Sequence, residues 1–265
     1  MFLGIDLTTK QEKPTACVIL DEQGALVSVS KLSTDDEMVA LAQAHSPTII
    51  AVDSPMGFPE GMDCLEEEHD CQSVHSFKGR AGERELLAEG IGLYLTTKRS
   101  IIKPMIYRAI GLKKRFEALG SQVIEVYPFA CKVRLLGRPL PKKNTTEGHR
   151  FLLERLQNIV PGLDAHNGKL DHDHLDALFA AHTAWLHSHG RTDSMGPDGE
   201  VPIVVPKKPV QWPSAPIPTR DDSDADDMNL KPGALQGIKV VDWTIWQFGP
   251  VAATMMGDLG ADVIK

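Results

Sequence analysis

The chain has 265 residues, 42% of them hydrophobic and 24% charged, with a formal net charge of −8. That composition suits one large or two modest globular domains and excludes a broadly basic nucleic-acid coat. No run approaches the roughly 18–20 apolar residues of a membrane span. The opening MFLGIDLTTK enters a strand-like run with no basic leader, so it is not a signal peptide, and with four cysteines a reduced, cytoplasmic chain is expected.

In chain order, FLGIDLT (2–8), TACVIL (15–20) and ALVSVS (25–30) read as three strands, the last two joined by the turn-like DEQG at 21–24. TDDEMVALAQAH (34–45) has a Thr-x-x-Glu capping pattern ahead of Met38, Leu41 and Ala42, which predicts a helix. TIIAVD (48–53) is a continuous apolar run ending in a carboxylate, as for a strand buried on both faces. After a long irregular stretch, helices are predicted near 80–91 and 104–119. QVIEVYP (122–128) is a further buried strand, stopped by proline. Helices near 146–159 and 171–189 and a short extended VPIVVP (201–206) follow. This is the element order of an RNase H-like α/β fold, a mixed five-stranded sheet flanked by helices.

Composition then changes. Six prolines between 202 and 218, followed by RDDSDADD (220–227), cannot build a core and read as a stiff, solvated linker. The expected organisation is a domain over 1–206, a linker over 207–232, and a strand–helix–strand fragment over 233–265, too short to bury a two-faced sheet alone.

The informative residues are acids in apolar surroundings. Asp6, Asp53 and Glu125 sit within or at the end of strand-like runs, where carboxylates are rarely buried without partners. LDHDHLDALFAAH (170–182) adds Asp171, Asp173 and Asp176 at a helix start. One of these is explained as an N-cap, while Asp173 and Asp176, three apart, share a face that continues as Ala177, Ala180 and Ala184. Two carboxylates about 5 Å apart at an effective dielectric near 20 repel by about 3 kcal/mol. A cluster of them must therefore take up protons, pair with basic groups or bind cations. Oxygen-only ligands suit Mg2+ or Mn2+, and paired ions of that kind support phosphodiester hydrolysis. The expected metal ligands are Asp6, Asp53, Asp173 and Asp176, with Glu125 assisting, in the outer shell if not at the ion. A set of buried ion pairs and backbone contacts is the alternative.

Two stretches without an acid offer a phosphate-facing rim. The first, 98–115, contains Lys98, Arg99, Lys103, Arg108 and Lys113. The second, 132–143, contains Lys132, Arg134, Arg138, Lys142 and Lys143. Solvated helix faces are the plainer reading of each. Cys64, His69, Cys71 and His75 offer metal-ligand chemistry, but C-x4-H-x-C-x3-H matches no common zinc pattern and reads as incidental.

The motifs GIDLT, AVDSPMGFP, GERELLAEGI, the segment 96–128, KVRLLGRPLP and LDHDHLDALFAAHTAWLH together resemble domain-of-unknown-function family 429, described as predicted RNase H-like nucleases. The resemblance spans nearly all of 1–206 and implies acidic motif positions at Asp6, Asp53, Glu125, Asp173 and Asp176. Residues 233–265 resemble the start of a family III CoA-transferase, with Gln247 in the place of a glutamine near that family's active site. That family's catalytic aspartate lies further downstream, so the fragment by itself is not expected to transfer CoA. The leading expectation is a metal-dependent nuclease. The alternatives are a non-catalytic RNase H-fold module that binds a nucleotide or partner, and the front of a CoA-transferase fusion.

Overall fold

The protein is described by a computed structural model, covering residues 1–9, 13–143, 145–166, 170–208, 239–241 and 262–264. The chain divides into two units, 1–211 and 212–265. The first is built on a seven-stranded mixed sheet of β1 (Phe2–Asp6), β2 (Thr15–Leu20), β3 (Leu26–Leu32), β4 (Ile49–Asp53), β5 (Gln122–Val126), β6 (Thr192–Met195) and β7 (Ile203–Pro206). The strand order is β3-β2-β1-β4-β5-β7-β6. β1–β3 form the antiparallel meander, β1, β4, β5 and β7 run parallel, and β6 returns antiparallel on the edge. The first five strands are those expected, in RNase H-like order. β6, a polar TDSM, has the short and hydrophilic character of an edge strand and gives little periodic signal.

Strand parity sorts the residues into two layers. Phe2, Gly4 and Asp6 share a face with Ile49, Ala51 and Asp53 and with Ile124 and Val126. Leu3 and Ile5, Ile50 and Val52, and Val123 and Glu125 lie on the other. The second face packs against α1 (Asp35–His45) and α3 (Lys103–Glu117) through Met38, Ala42, Ala109, Leu112 and Phe116. α1 starts with the expected capping box between Thr34 and Glu37. α2 (Ala81–Ala88) lies by β6 with Leu86 against Met195. The first face is covered by α6 (His172–Ser188), with α4 (Pro128–Leu136) and α5 (Thr146–Gln157) packed around it. α4 was not foreseen: Pro128 reads as a strand stop, yet proline is equally suited to the first helical turn.

α6 is buried from Leu175 to Ala184 because it lies between the sheet and the other helices. It approaches β1 closely. Ala177, Ala181 and their backbone occupy the space above Gly4, so a methyl group there would collide with the Ala177 carbonyl oxygen and the Ala181 nitrogen. The alanine face and the side-chain-free position in β1 are thus one packing device.

In the second unit, β8 (Lys239–Val241) and β9 (Asp262–Ile264) pair in parallel, as expected for a strand–helix–strand. The expected helix between them, Gln247 and most of the expected linker lie outside the described residues.

Gly4→Ala should lower stability by about 1–3 kcal/mol, the usual range for overpacking. Chemical denaturation measures this, and an unchanged midpoint would show that α6 does not press on β1.

Candidate active site

β1 and β4 are parallel neighbours, so their carboxyl ends reach the same sheet edge. The register pairs Ile5 with Val52, which sets Asp6 beside Asp53 on the face that α6 covers. α6 starts over that edge. Its N-cap is Asp171, whose side chain accepts the His174 N–H at 3.1 Å. Burial pushes the Asp171 carboxyl up, but Lys31 and the His174 N–H outweigh it and hold it down at about 2. Asp173, on the rim, accepts from Lys31 Nζ at 3.0 Å. Asp176 points inward and is only 3% exposed.

Two lysines meet Asp176. Lys132, on α4, pairs with one carboxylate oxygen, and Lys143 donates to the other at 2.7 Å. No lysine or arginine makes an ion pair with Asp6 or Asp53 among the described residues. Three carboxylates therefore face two ammonium groups, and burial together with this imbalance favours the protonated form of Asp6 and Asp53. Asp6 is pushed up to about 7, first by desolvation, then by Asp176 and Asp173, against the pull of Lys143 and Lys132. Asp53 is raised well above the ordinary range by burial, Asp6 and Asp176.

Two cavities meet at Asp53. One, of about 420 Å3, is lined by Asp53, Asp176, Lys132, Lys142, Lys143, Tyr127 and Phe129, among others. The other, of about 360 Å3, includes Asp53, Tyr94, Tyr127 and Lys143, with Arg80 and Glu125 in its wall. Asp53, Tyr127 and Lys143 border both. The aromatic lining gives each cavity a flat apolar surface beside the charges.

Glu125 is placed differently from the other expected ligands. β5 pairs Glu125 with Val52 and Val126 with Asp53, so its side chain lies on the sheet face opposite Asp53. There it is held in a buried network. Both Glu125 oxygens accept from the Arg80 guanidinium, one at 2.9 Å, and Oε2 also accepts the Met56 N–H at 2.7 Å. Arg80 also donates from Nε to Glu83 at 3.2 Å, and Glu83 accepts the Thr96 N–H at 2.9 Å. Glu125 thus anchors the segments leaving β4 and entering α2, rather than facing the aspartates. The Arg80–Glu83 spacing in GRAGERE was the available sequence signal for this network.

The first basic stretch does not gather into one rim. Lys98 donates to the His69 carbonyl, Arg99 pairs with Glu67 at 3.3 Å and Lys103 with Glu66 at 3.6 Å, all on the connection after β4. Arg108 pairs with Asp35 at 2.7 Å, and Lys113 with Glu117 of its own helix at 3.0 Å. The acids that pair with Arg99, Lys103 and Arg108 lie far from the basic stretch in sequence, and Glu117 lies just past its end. It is the second stretch, through Lys132 and Lys143, that reaches the carboxylates.

The fold and this carboxylate cluster define an RNase H-like α/β domain with an acidic site at the ends of β1 and β4. The chain belongs to the family described as Protein of unknown function (DUF429), whose model matches residues 4–201. Residues 235–265 match CoA-transferase family III. No curated protein matches the chain. Among solved structures it is similar to Thermus thermophilus RuvC, at 13% identity over 76% of this chain and 98% of that one, with a TM-score of 0.40. It is similar at the same identity and TM-score to T. thermophilus RuvC in complex with a Holliday junction substrate, covering 77% of this chain and 100% of that one.

Two tests follow from the charges. Asp6 titrates near 7 in the folded chain against a reference value of 3.8, so across that window the folded state holds a proton the unfolded state has lost. In chelator, its contribution to stability therefore falls as pH rises from about 4 to about 7. Asp6→Asn should remove this decline in urea titrations across pH, and an identical pH profile would contradict the charge balance. Arg80→Met leaves Glu83 and Glu125 buried without their cation and should cost about 3–5 kcal/mol. A loss under about 1 kcal/mol in the same measurement would mean the network is not structural.

Proposed function

We propose that the 1–206 domain is a divalent-metal-dependent phosphodiesterase acting on nucleic acid, with Asp6, Asp53, Asp173 and Asp176 holding Mg2+ or Mn2+. The observation that carries this reading is the meeting of Asp6, Asp53 and Asp176 from β1, β4 and α6 with more negative charge than their lysines balance. The donor set fits such an ion: it is carboxylate oxygen throughout, and a dication would compete with protons at Asp6 and Asp53. When bound, the ion would supply Lewis acidity at a phosphoryl oxygen and a more acidic water.

The chain's own residues would do the rest. Lys143 is half exposed, at 51%, and lines both cavities, so its ammonium can leave Asp176 and meet a phosphate oxygen. Lys142 lines the first cavity and adds positive charge at its edge. Phe129 and Tyr94, exposed by 39% and 57%, stand at the two cavities as surfaces on which unpaired bases can stack. Lys132, buried against Asp176 and 5.5 Å from the Phe179 ring centre, would keep the Asp176 carboxylate oriented.

One observation favours a second reading. Both oxygens of Asp176 are already engaged by lysines, a satisfied arrangement that a non-catalytic nucleotide- or partner-binding module would also have. The CoA-transferase match at 235–265 supports a fusion as a third, but lends no chemistry to the aspartates.

Asp6→Asn and Asp53→Asn should each lower Mn2+-dependent cleavage of single-stranded DNA or RNA at least about 100-fold, since even partners one shell out from a metal cost 10–100-fold. Cleavage by both variants at the unaltered rate would sink the nuclease reading. Loss of nucleotide binding with no cleavage by any form would favour the binding module.

A further inference from the structure

Residues 54–80, between β4 and α2, contain no helix or strand. Connections beyond about 12–15 residues without secondary structure are uncommon in compact domains and need something to hold them. Part of the hold is visible. Leu65 is fully buried and its N–H donates to the Tyr107 hydroxyl at 2.8 Å, while the Val74 N–H donates to the Glu60 carbonyl at 2.9 Å. Between these two anchors the chain folds back on itself and gathers Asp63, Cys64, His69 and Cys71.

One ligand atom from each of these four lies within 4.8 Å of all the others. The Cys64 and Cys71 sulfurs are 3.7 Å apart, and His69 Nδ1 is 3.4 Å from Asp63 Oδ1. A tetrahedral zinc ion with Zn–S near 2.3 Å separates its two sulfurs by about 3.8 Å, and Zn–N and Zn–O near 2.0–2.1 Å give about 3.3 Å. Both separations match that tetrahedron, and both cysteines are free thiols. His75, the last residue of the C-x4-H-x-C-x3-H spacing, is directed elsewhere: Nε2 is 3.4 Å from Glu60 and its ring stacks on Phe77 at 4.6 Å. Asp63, next to Cys64, takes the fourth place. The nearby basic groups do not compete for these ligands, because Lys98 is spent on the His69 carbonyl and Arg99 and Lys103 on Glu67 and Glu66.

We propose that Asp63, Cys64, His69 and Cys71 bind zinc, and that the ion fastens the connection from β4 to α2. Four protein ligands close the coordination sphere, so the role is structural and distinct from that of the aspartate cluster. The fastened segment begins at Ser54, directly after Asp53, and Ser54 and Pro55 line the second cavity. Zinc would therefore hold one wall of the candidate active site.

The test uses the full chain purified under reducing conditions with zinc supplied, followed by dialysis and metal analysis. We expect stoichiometric zinc. Replacement by Co2+ should give thiolate-to-cobalt charge-transfer absorption with the visible bands of a tetrahedral ion. Both signals should be lost in the Cys64→Ser/Cys71→Ser double variant and kept in Asp6→Asn/Asp53→Asn. The cobalt spectrum of the unaltered chain decides the matter even if the cysteine variant fails to fold. Absence of thiolate absorption, zinc retained by a folded cysteine variant, or a Cys64–Cys71 disulfide in the zinc-supplied chain would each overturn the proposal.

Discussion

The site depends on how closely α6 lies on β1. A helix starting over a sheet edge delivers its first-turn side chains to that edge only if its axis is low enough. Gly4 and the alanines at 177 and 181 remove the side-chain bulk that would lift it. Asp176, one residue before that contact, is consequently pressed into the space where β1 and β4 end. Packing and electrostatics oppose each other there: apolar burial of α6 forces together carboxylates that would separate in water.

The protein answers that repulsion by several means at once. Asp173 sits at the rim with Lys31, Asp176 is matched by Lys132 and Lys143, and Asp6 and Asp53 are pushed toward the protonated form, first by burial and then by the neighbouring carboxylates. Among the described residues, Asp6 and Asp53 make no ion pair with a lysine or arginine. Glu125 makes the contrast plain. Also buried on a central strand, it is fully paired with Arg80. Glu125 is compensated by a buried guanidinium, whereas Asp6 and Asp53 are pushed toward the protonated form by burial and by neighbouring carboxylates.

Much of this was legible in the sequence. The meander, the buried strands ending in Asp53 and near Glu125, and the acid-rich start of an alanine-faced helix gave the element order and four aspartates. Glu125 was misplaced for a definite reason: it lies one position before the residue that pairs with Asp53, and strand parity turns that offset into the opposite face of the sheet. Composition shows that an acid is buried, not on which side. The basic segment at 98–115 was equally opaque, because the acids that pair with most of it come from residues 35–36 and 66–67, which only folding brings near. The Cys/His spacing was set aside for lack of a known pattern, while the fourth ligand atom came from an aspartate outside it.

The central claim is that Asp6, Asp53 and Asp176 form one cation site whose present balance is a proton and two lysines. Anomalous diffraction from crystals soaked in Mn2+ tests it most directly. A peak bonded to oxygens of Asp6 and Asp53, with Lys143 withdrawn from Asp176, is the predicted result. No peak at saturating Mn2+, with both lysines still seated on Asp176, would contradict it.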